Sequence, residues 1–313
     1  MPLLEPIITP VAREELEKEL TRERFVRTTN KGGNKIFDFS AQECPALMRE
    51  VGRLREIAFR MAGGGTGKGC DIDEYDVSEI PFRQLIVWDP DEREILGGYR
   101  YILCKHLPQT QEGTKYLATS HMFHFTDKFI EEYFPRMIEL GRSFVQPLYQ
   151  SSKAGAKSLY ALDNLWDGLG SLVVDHPDMQ YFFGKVTMYT HFNQQARDLI
   201  LGFWKKYFGD KDNIVYAYNP ITISTSSDEI DAIFGEGSFQ ADYKILVKRV
   251  RELGENIPPL VNAYMNLSPS MKVFGTAIND EFGDVEETAI LINLHDLYAS
   301  KSERHVNTYK KEK

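Results

Sequence analysis

The stretch CDIDEYDVSEI carries four carboxylates, Asp71, Asp73, Glu74 and Asp76, within six positions. Such a cluster could bind a cation, supply catalytic acids or form a solvated loop. A hand-type calcium loop counted from Asp71 needs glycine at its sixth position and glutamate at its twelfth, where this chain has Asp76 and Phe82. The spacing argues against a calcium site and leaves the other two interpretations open.

A glycine-rich run, AGGGTGKGC, comes directly before these acids and imitates a phosphate-binding loop. That motif needs glycine where the chain has Ala62, and serine or threonine after the lysine, where it has Gly69. The run also follows a predicted helix, whereas the phosphate loop follows a strand. We therefore interpret it as a mobile surface loop.

Two histidines in HMFHF, His121 and His124, could share a helical face and bind a metal ion. No third ligand follows at a recognisable spacing, so polar positions beside a core aromatic are the favoured interpretation. We predict no metal site.

Arginines and acids recur in short motifs: Arg55 in LREIAF, Arg100 in ILGGYR, and Glu139 and Arg142 in ELGRSFV. Buried charges are costly unless they are paired, so acids and arginines alternating around strand ends could form a bonded network. The alternative is a set of surface ion pairs worth under about 1 kcal/mol each. The residue pattern leaves both open.

The elements that must position these residues are of mixed type. An apolar stripe with alternating steps of four and three predicts a helix over residues 45–61, which ends at the glycine run. Residues 82–106 predict a β-hairpin with its turn at 89–93, because β-branched and aromatic residues flank a Pro-Asp turn signal.

The second half of the chain alternates between strand and helix patterns. We predict strands at 137–149 and 181–189, helices carrying Leu159–Leu172 and Ala196–Phe208, a helix near 240–253, and final strands at 270–280 and 288–297 separated by an acidic turn. These patterns predict an α/β fold with a sheet of mixed direction. We divide the chain into an N-terminal extension with the first strand (1–44), a core (45–209), an insertion (210–257), and final strands with a charged tail that complete the same domain (258–313).

Composition narrows the functional class. The chain has 313 residues, a net charge of -9 and no basic stripe, which argues against nucleic-acid binding. It has no apolar run of spanning length, and its N-terminus turns acidic too early for a secretory signal. Its three cysteines have no CxxC spacing, which indicates reduced thiols. We predict a cytoplasmic protein.

The order Arg-x-x-x-Phe, Asp-x-x-Asp, Gly-x-x-Arg, Glu-x-x-Arg resembles one branch of the GNAT acyltransferase superfamily. That branch contains acyl-homoserine-lactone synthases and the hemolysin-like, acyl-carrier-dependent N-acyltransferases that make lyso-ornithine and lyso-glycine lipids. The segment IPPLVNAYMNLSPSMKVFGTAINDEFG is similar to the second group. The resemblance covers residues 52–293 and implies a mostly antiparallel central sheet flanked by helices, with an inserted segment before the last strands.

The resemblance implies transfer of a long, possibly 3-hydroxylated, acyl chain from acyl carrier protein to the α-amine of glycine or ornithine. It implies neither a metal nor a bound cofactor, with acyl-phosphopantetheine or acyl-CoA as co-substrate. Glu139 is the expected general base, because an amine attacks only when it is unprotonated.

The remaining site residues are also carried over from the resemblance. Those expected to shape the acceptor site are Arg55, Phe59, Asp73, Asp76, Arg100 and Arg142. Those expected to bind the acyl donor are Ser143, Phe144, Val145, Lys153 and Lys157. The segment QSSKAGAKSL only approximates the loop that holds the pyrophosphate of CoA, which favours a carrier-protein donor.

Partners implied are acyl carrier protein, a small amino acid and possible peripheral contact with a membrane for product release. Two rival functions stay open. An acyl-homoserine-lactone-type synthase would need S-adenosylmethionine and is disfavoured by the long C-terminal half. A non-catalytic, hemolysin-like lipid- or membrane-interacting protein is disfavoured because the sequence has no basic amphipathic membrane helix.

Overall fold

The computed structural model describes residues 4–150, 156–235, 237–283 and 285–311. The strands are β1 (Phe25–Thr28), β2 (Lys35–Ser40), β3 (Arg83–Asp89), β4 (Glu94–Leu103), β5 (Phe123–Phe125), β6 (Met137–Val145), β7 (Tyr181–Met188), β8 (Val215–Ala217), β9 (Lys272–Asn279) and β10 (Val285–Asn293). The helices are α1 (Arg13–Glu19), α2 (Pro45–Ala62), α3 (Glu74–Val77), α4 (Asp127–Glu132), α5 (Ala156–Asp175), α6 (Gln194–Phe208), α7 (Ser227–Ile233), α8 (Phe239–Glu252), α9 (Pro259–Met265) and α10 (Ala299–Lys301).

Eight strands form one sheet in the order β1-β2-β3-β4-β6-β7-β10-β9. Every neighbouring pair is antiparallel except β6 and β7, which run parallel. The predicted mostly antiparallel α/β sheet is confirmed, and so are the helix after residue 45 and the hairpin of β3 and β4.

Helices cover both faces of the sheet, as the residues of β3 show. Leu85 and Val87 belong to the apolar cluster built with α5 and α6, whereas Ile86 and Trp88 belong to the cluster built with α2. Successive strand residues point to opposite faces, so the continuous apolar run LIVW is what a strand buried on both sides requires. Strand β4 lies next to β3 in this three-layer core, and β6 lies next to β4.

The structure differs from the sequence-based expectation at three places. The first 44 residues contribute two strands, β1 and β2, where one was expected. The 210–257 segment adds β8, which pairs with β5 in a separate two-stranded sheet. The last strand begins at Val285, so the final three residues of the predicted acidic turn, Val285 to Glu287, are part of β10.

Among the described residues, no helix combines the length and the apolar character needed to cross a membrane.

Candidate active site

A cavity of about 510 Å³ opens beside the middle of the sheet. It lies between α2, the second half of β6, β7 and the Pro258–Leu260 segment. Its wall includes seven residues singled out in the sequence, which are Phe59, Arg100, Glu139, Arg142, Ser143, Phe144 and Val145. The segment IPPLV, part of the family resemblance, also lines it through Pro258, Pro259 and Leu260.

The cavity forms where strands β6 and β7 separate. Their parallel ladder runs from Met137↔Tyr181 to Leu140↔Gly184 and then stops. Within the described chain, residues 141–145 of β6 pair only with β4 on their other side. The backbone edge that faces β7 is therefore open to the cavity, and this edge can offer N–H groups to a bound ligand.

A β-bulge shapes this open edge. Gly98 pairs with Phe144 and Arg100 pairs with Gly141, so two residues of β6 face the single residue between them on β4. Arg142 is one of the two and has a φ of 49°, in the left-handed region. Glycine at 97 lets the strands approach here, because a Cβ at that position would lie 2.4 Å from the carbonyl oxygen of Phe144.

Glu139 lies on β6 just before the bulge, with only 1% of its surface exposed. One carboxylate oxygen accepts a hydrogen bond from the amide of Ala118 at 2.9 Å. The other accepts from the amide and the hydroxyl of Thr119, at 3.1 and 2.7 Å. Burial raises the pKa of Glu139 to about 7, against the lowering effect of the bonds from Thr119 and Ala118. The side chain can therefore exchange a proton near neutral pH.

Arg55, Arg100 and Asp76 form a buried ionic cluster behind the cavity wall. Arg55 contacts both carboxylate oxygens of Asp76 at 3.3 and 3.2 Å and bonds Gln84 at 2.5 Å. Arg100 reaches the same aspartate at 3.2 Å. The side chains of Arg55 and Asp76 are fully buried and that of Arg100 is 2% exposed. These contacts are a buried network, not the surface ion pairs of the alternative interpretation.

Asp73 extends this cluster to the bulge. It accepts from Arg100 at 2.6 Å and contacts Arg142 at 3.3 Å. Burial works to raise the pKa of Asp73, but the Arg100 guanidinium outweighs it and holds that pKa well below its usual range. Asp71, which is fully buried, pairs with Nε of Arg142 at 2.9 Å. The guanidinium of Arg142 also lies over the ring of Phe282, 4.3 Å from its centroid.

Phe59 completes this side of the cavity. Its ring meets the ring of Phe282 edge-on, with centroids 4.9 Å apart. Phe282 thus touches both an aromatic residue of α2 and the arginine of the bulge.

The glycine run is bonded to the helix that precedes it. Its amides at Thr66 and Gly67 donate to the fully buried carboxylate of Glu56, at 3.0 and 2.8 Å, and Arg60 pairs with the same group at 2.7 Å. Gly63, with a φ of 97°, ends α2 in the left-handed conformation. The amides that could have cradled a phosphate are therefore occupied by a carboxylate of the chain itself.

The histidines do not form a metal centre. His124 lies on β5 and packs on the ring of Tyr216, whereas His121 precedes that strand and approaches Asn279 at 3.4 Å. The two histidines do not share a helical face, because this segment forms a turn and a strand. Over the described ranges, no group of three or more His, Cys, Asp or Glu residues could hold a metal ion.

Four polar residues of the cavity region were missed by the sequence reading: Lys185, Thr187, Asn279 and Glu287. Lys185 and Glu287 form an ion pair at 2.5 Å. Lys185 could have been noticed as a charge within an otherwise apolar strand pattern, YFFGKVTMY. A buried charge is rarely unpaired, so this lysine predicts an acidic partner.

Two predicted donor residues are not placed. Lys153 lies outside the described residues, and Lys157 falls in the first turn of α5, where the backbone alone is described.

Comparison with known proteins identifies the family of this chain. The acetyltransferase (GNAT) domain family matches residues 54–159, which run from α2 to the start of α5. A curated glycine N(alpha)-acyltransferase of Bacteroides thetaiotaomicron is 56% identical over 306 residues, covering 98% of this chain and 91% of the relative. A second, from Phocaeicola vulgatus, is 53% identical over 309 residues, covering 99% and 95%. The chain belongs to the GNAT family of N-acyltransferases.

A solved structure, a CoA-dependent acyl-homoserine lactone synthase with SAM and isopentyl-CoA, aligns over 88% of this chain and 89% of its own, with 12% identity and a TM-score of 0.38. The activity class of this chain follows from the two close relatives and not from this solved structure. This GNAT enzyme is therefore an N-acyltransferase that acts on an amino acid.

Proposed function

We propose that this GNAT enzyme transfers a fatty acyl group from the phosphopantetheine thioester of acyl carrier protein to the α-amine of glycine. The observation that carries the proposal is Glu139, a buried carboxylate on the wall of the cavity where β6 and β7 separate. Among the residues whose contacts are described, no cation lies within 4 Å of it.

The chemistry of this site starts with the amino group, which is an ammonium ion in free glycine. Glu139 accepts one proton from the ammonium, and the neutral nitrogen then attacks the thioester carbonyl carbon. The nitrogen of the tetrahedral intermediate loses a second proton, the C–S bond breaks as the intermediate collapses, and the leaving thiolate takes up that proton. The products are an amide, a free thiol and one proton released to solvent.

The tetrahedral intermediate carries an oxyanion that needs aimed donors. The open edge of β6 between Ser143 and Val145 presents the N–H groups of alternate residues to the cavity wall. A fixed backbone edge is suited to this task, because its dipoles need no reorganisation during the reaction.

The acyl chain requires an apolar path. The cavity is lined by apolar side chains that include Phe144, Tyr149, Leu162 and Leu260. A smaller cavity of about 40 Å³ shares Leu140 and Leu260 with it and adds Phe182, Tyr264, Ile290 and Ile292. This wall suits a long hydrocarbon chain, so the product would be an N-acyl amino acid of the lipid-precursor type.

Glycine is proposed ahead of ornithine because both close relatives are named glycine N(alpha)-acyltransferases. Acyl carrier protein is proposed ahead of CoA because QSSKAGAKSL only approximates a pyrophosphate-binding loop.

The test is a purified-enzyme assay with four substrate pairs: palmitoyl carrier protein or palmitoyl-CoA, each with glycine or ornithine. Mass spectrometry of the products and thiol titration follow the reaction. We expect N-palmitoylglycine and one free thiol per amide, formed fastest from the carrier protein. Amide formation from ornithine alone would overturn the choice of acceptor, and no amide from any pair would overturn the proposed function.

A further inference from the structure

The cavity contains a second buried carboxylate, Glu287, whose setting differs from that of Glu139. Glu287 lies on β10 with 3% of its surface exposed. Its Oε1 accepts from the hydroxyl of Thr187 at 3.0 Å, and its Oε2 accepts from Asn279 at 2.8 Å and pairs with Lys185 at 2.5 Å. Burial acts to raise the pKa of Glu287, but Lys185 outweighs it, so the net shift is downward. Glu287 therefore stays ionised and its acceptor sites are used within the protein.

Lys185 is less completely engaged. An ammonium group has three N–H donors, and Nζ of Lys185 has one acid partner, Glu287, and one weak acceptor, the sulfur of Met122 at 3.7 Å. These are its only partners among the described residues. Its side chain is 11% exposed and lines the cavity. One donor of a mostly buried cation is thus left for a ligand.

Arg100 and Arg142, which also line the cavity, each contact two aspartates. Three arginines and three aspartates form the network behind the wall, which balances three positive and three negative charges. Nη1 of Arg100 contacts two aspartates, and Arg142 contacts two through Nε and Nη2. Lys185 contacts one acid, fewer than either arginine, and keeps a donor on a single compact ammonium group.

The position of Lys185 suits a small zwitterion. Glu139 pairs with Phe183 in the β6–β7 ladder, and Lys185 follows Phe183 by two residues on the same face of β7. Strand geometry places the Cα atoms of Glu139 and Lys185 about 8 Å apart. An amino acid lying between the two side chains would present its ammonium to the first and its carboxylate to the second.

We propose that Lys185 binds the carboxylate of the amino-acid acceptor and that Glu287 positions Lys185 for this contact. The assignment rests on the proposed function, since it names the recognition element of the same site. A carboxylate bound by an ammonium in a mostly buried cavity forms a charge-assisted hydrogen bond, which exceeds an ordinary one in strength.

The test compares glycine with glycinamide, which has the amine but no carboxylate, in the wild type and in Lys185→Met. In the wild type we expect kcat/KM for glycine to exceed that for glycinamide. In Lys185→Met we expect the KM for glycine to rise about 10- to 100-fold, with the KM for the acyl donor unchanged and the preference over glycinamide lost.

Two further variants keep the result interpretable. Lys185→Met leaves Glu287 buried without its cation, so the double variant Lys185→Met/Glu287→Gln removes both charges and should show the same loss of preference. Lys272→Met is the matched control, because Lys272 also pairs with an acid, Asp210 at 3.0 Å, but lies away from the cavity. It should keep the wild-type preference.

The outcomes separate the two proposals. A wild type that forms N-acylglycine, beside a folded double variant that still prefers glycine to glycinamide, refutes the role of Lys185 and leaves the function intact. A wild type that acylates neither amine refutes the proposed function, and the acceptor assignment falls with it. A loss of kcat with unchanged KM for glycine assigns Lys185 to structural support and also overturns the inference.

Discussion

Replacing Glu139 by glutamine tests the central claim about this enzyme, because it keeps the size of the side chain and removes its ability to take a proton. The buried carboxylate has a pKa of about 7, so its ionised fraction changes most between pH 6 and 8. A general base is active when ionised. We therefore expect wild-type kcat/KM for glycine to rise with pH through about 7, and we expect Glu139→Gln to lose about 10²- to 10⁴-fold in rate along with that rise.

The same substitution has a calculable effect on stability. Burial raises the pKa of Glu139 from 4.5 to about 7, so the native state binds more protons than the unfolded state between these values. Stability from this group is present in full below pH 4.5 and is lost as the pH rises through 7. The difference of about 2.5 pKa units corresponds to about 3 kcal/mol. Glutamine has no charge to bury, so its free energy of unfolding should lack this decline.

The assay combines initial rates from pH 5.5 to 8.5 with urea unfolding at pH 5 and pH 8. Because the hydrogen bonds from Ala118 and Thr119 favour a carboxylate, the variant has its own offset in stability at every pH. The quantity to compare is therefore the change in the free energy of unfolding from pH 5 to pH 8. The wild type should lose up to about 3 kcal/mol more than the variant between these two pH values. Glu112→Gln is the control, since the Glu112 side chain is 72% exposed.

Two results would refute this reasoning. A wild-type rate that is flat across pH 6 to 8 would exclude a base with a pKa near 7. A folded Glu139→Gln enzyme with more than half the wild-type rate would exclude proton transfer to this side chain and would leave the acyl transfer itself intact.

Two further predictions concern the support of the site. Asp76→Ala leaves two buried arginines, Arg55 and Arg100, without their shared partner, so we expect urea titration to show a free energy of unfolding lower by about 3–5 kcal/mol. The control is Asp231→Ala, at an exposed position of α7, which should change this free energy by under about 0.5 kcal/mol. Gly97→Ala would place a Cβ 2.4 Å from the carbonyl oxygen of Phe144, so we expect a loss of about 1–3 kcal/mol by thermal unfolding. Gly141→Ala, whose nearest neighbour is at 3.5 Å, should be tolerated, and equal losses for the two alanines would contradict the steric argument.

Local sequence signals predicted much of the fold. The α2 stripe and the turn between β3 and β4 depend on residues that are close in sequence, so periodicity and turn chemistry were sufficient. The motif order then placed Glu139 and Arg142 in one strand, and the structure brings both to the cavity.

The errors have a common physical cause, which is charge compensation by residues distant in sequence. Glu286 and Glu287 read as part of an acidic turn, but both lie in β10 because Arg197 and Lys185 neutralise them there. The hydrogen bonds of the glycine run were not predicted because their acceptor, Glu56, lies in the preceding helix and its local sequence does not mark it as a partner. A single sequence shows the charges and not their pairing.

The acid-rich stretch 70–80 now has a physical explanation that links it to the chemistry. Asp73 caps α3 and contacts Arg142, and Asp71 pairs with the same arginine. Arg142 occupies the left-handed region at the bulge, a conformation costly for a residue with a side chain, so external contacts must hold it there. We therefore expect the bulge and the open β6 edge beyond it to depend on those contacts. The aspartates pair with arginines next to or on the strand that carries Glu139, and among the described residues Glu139 itself has no cation within 4 Å.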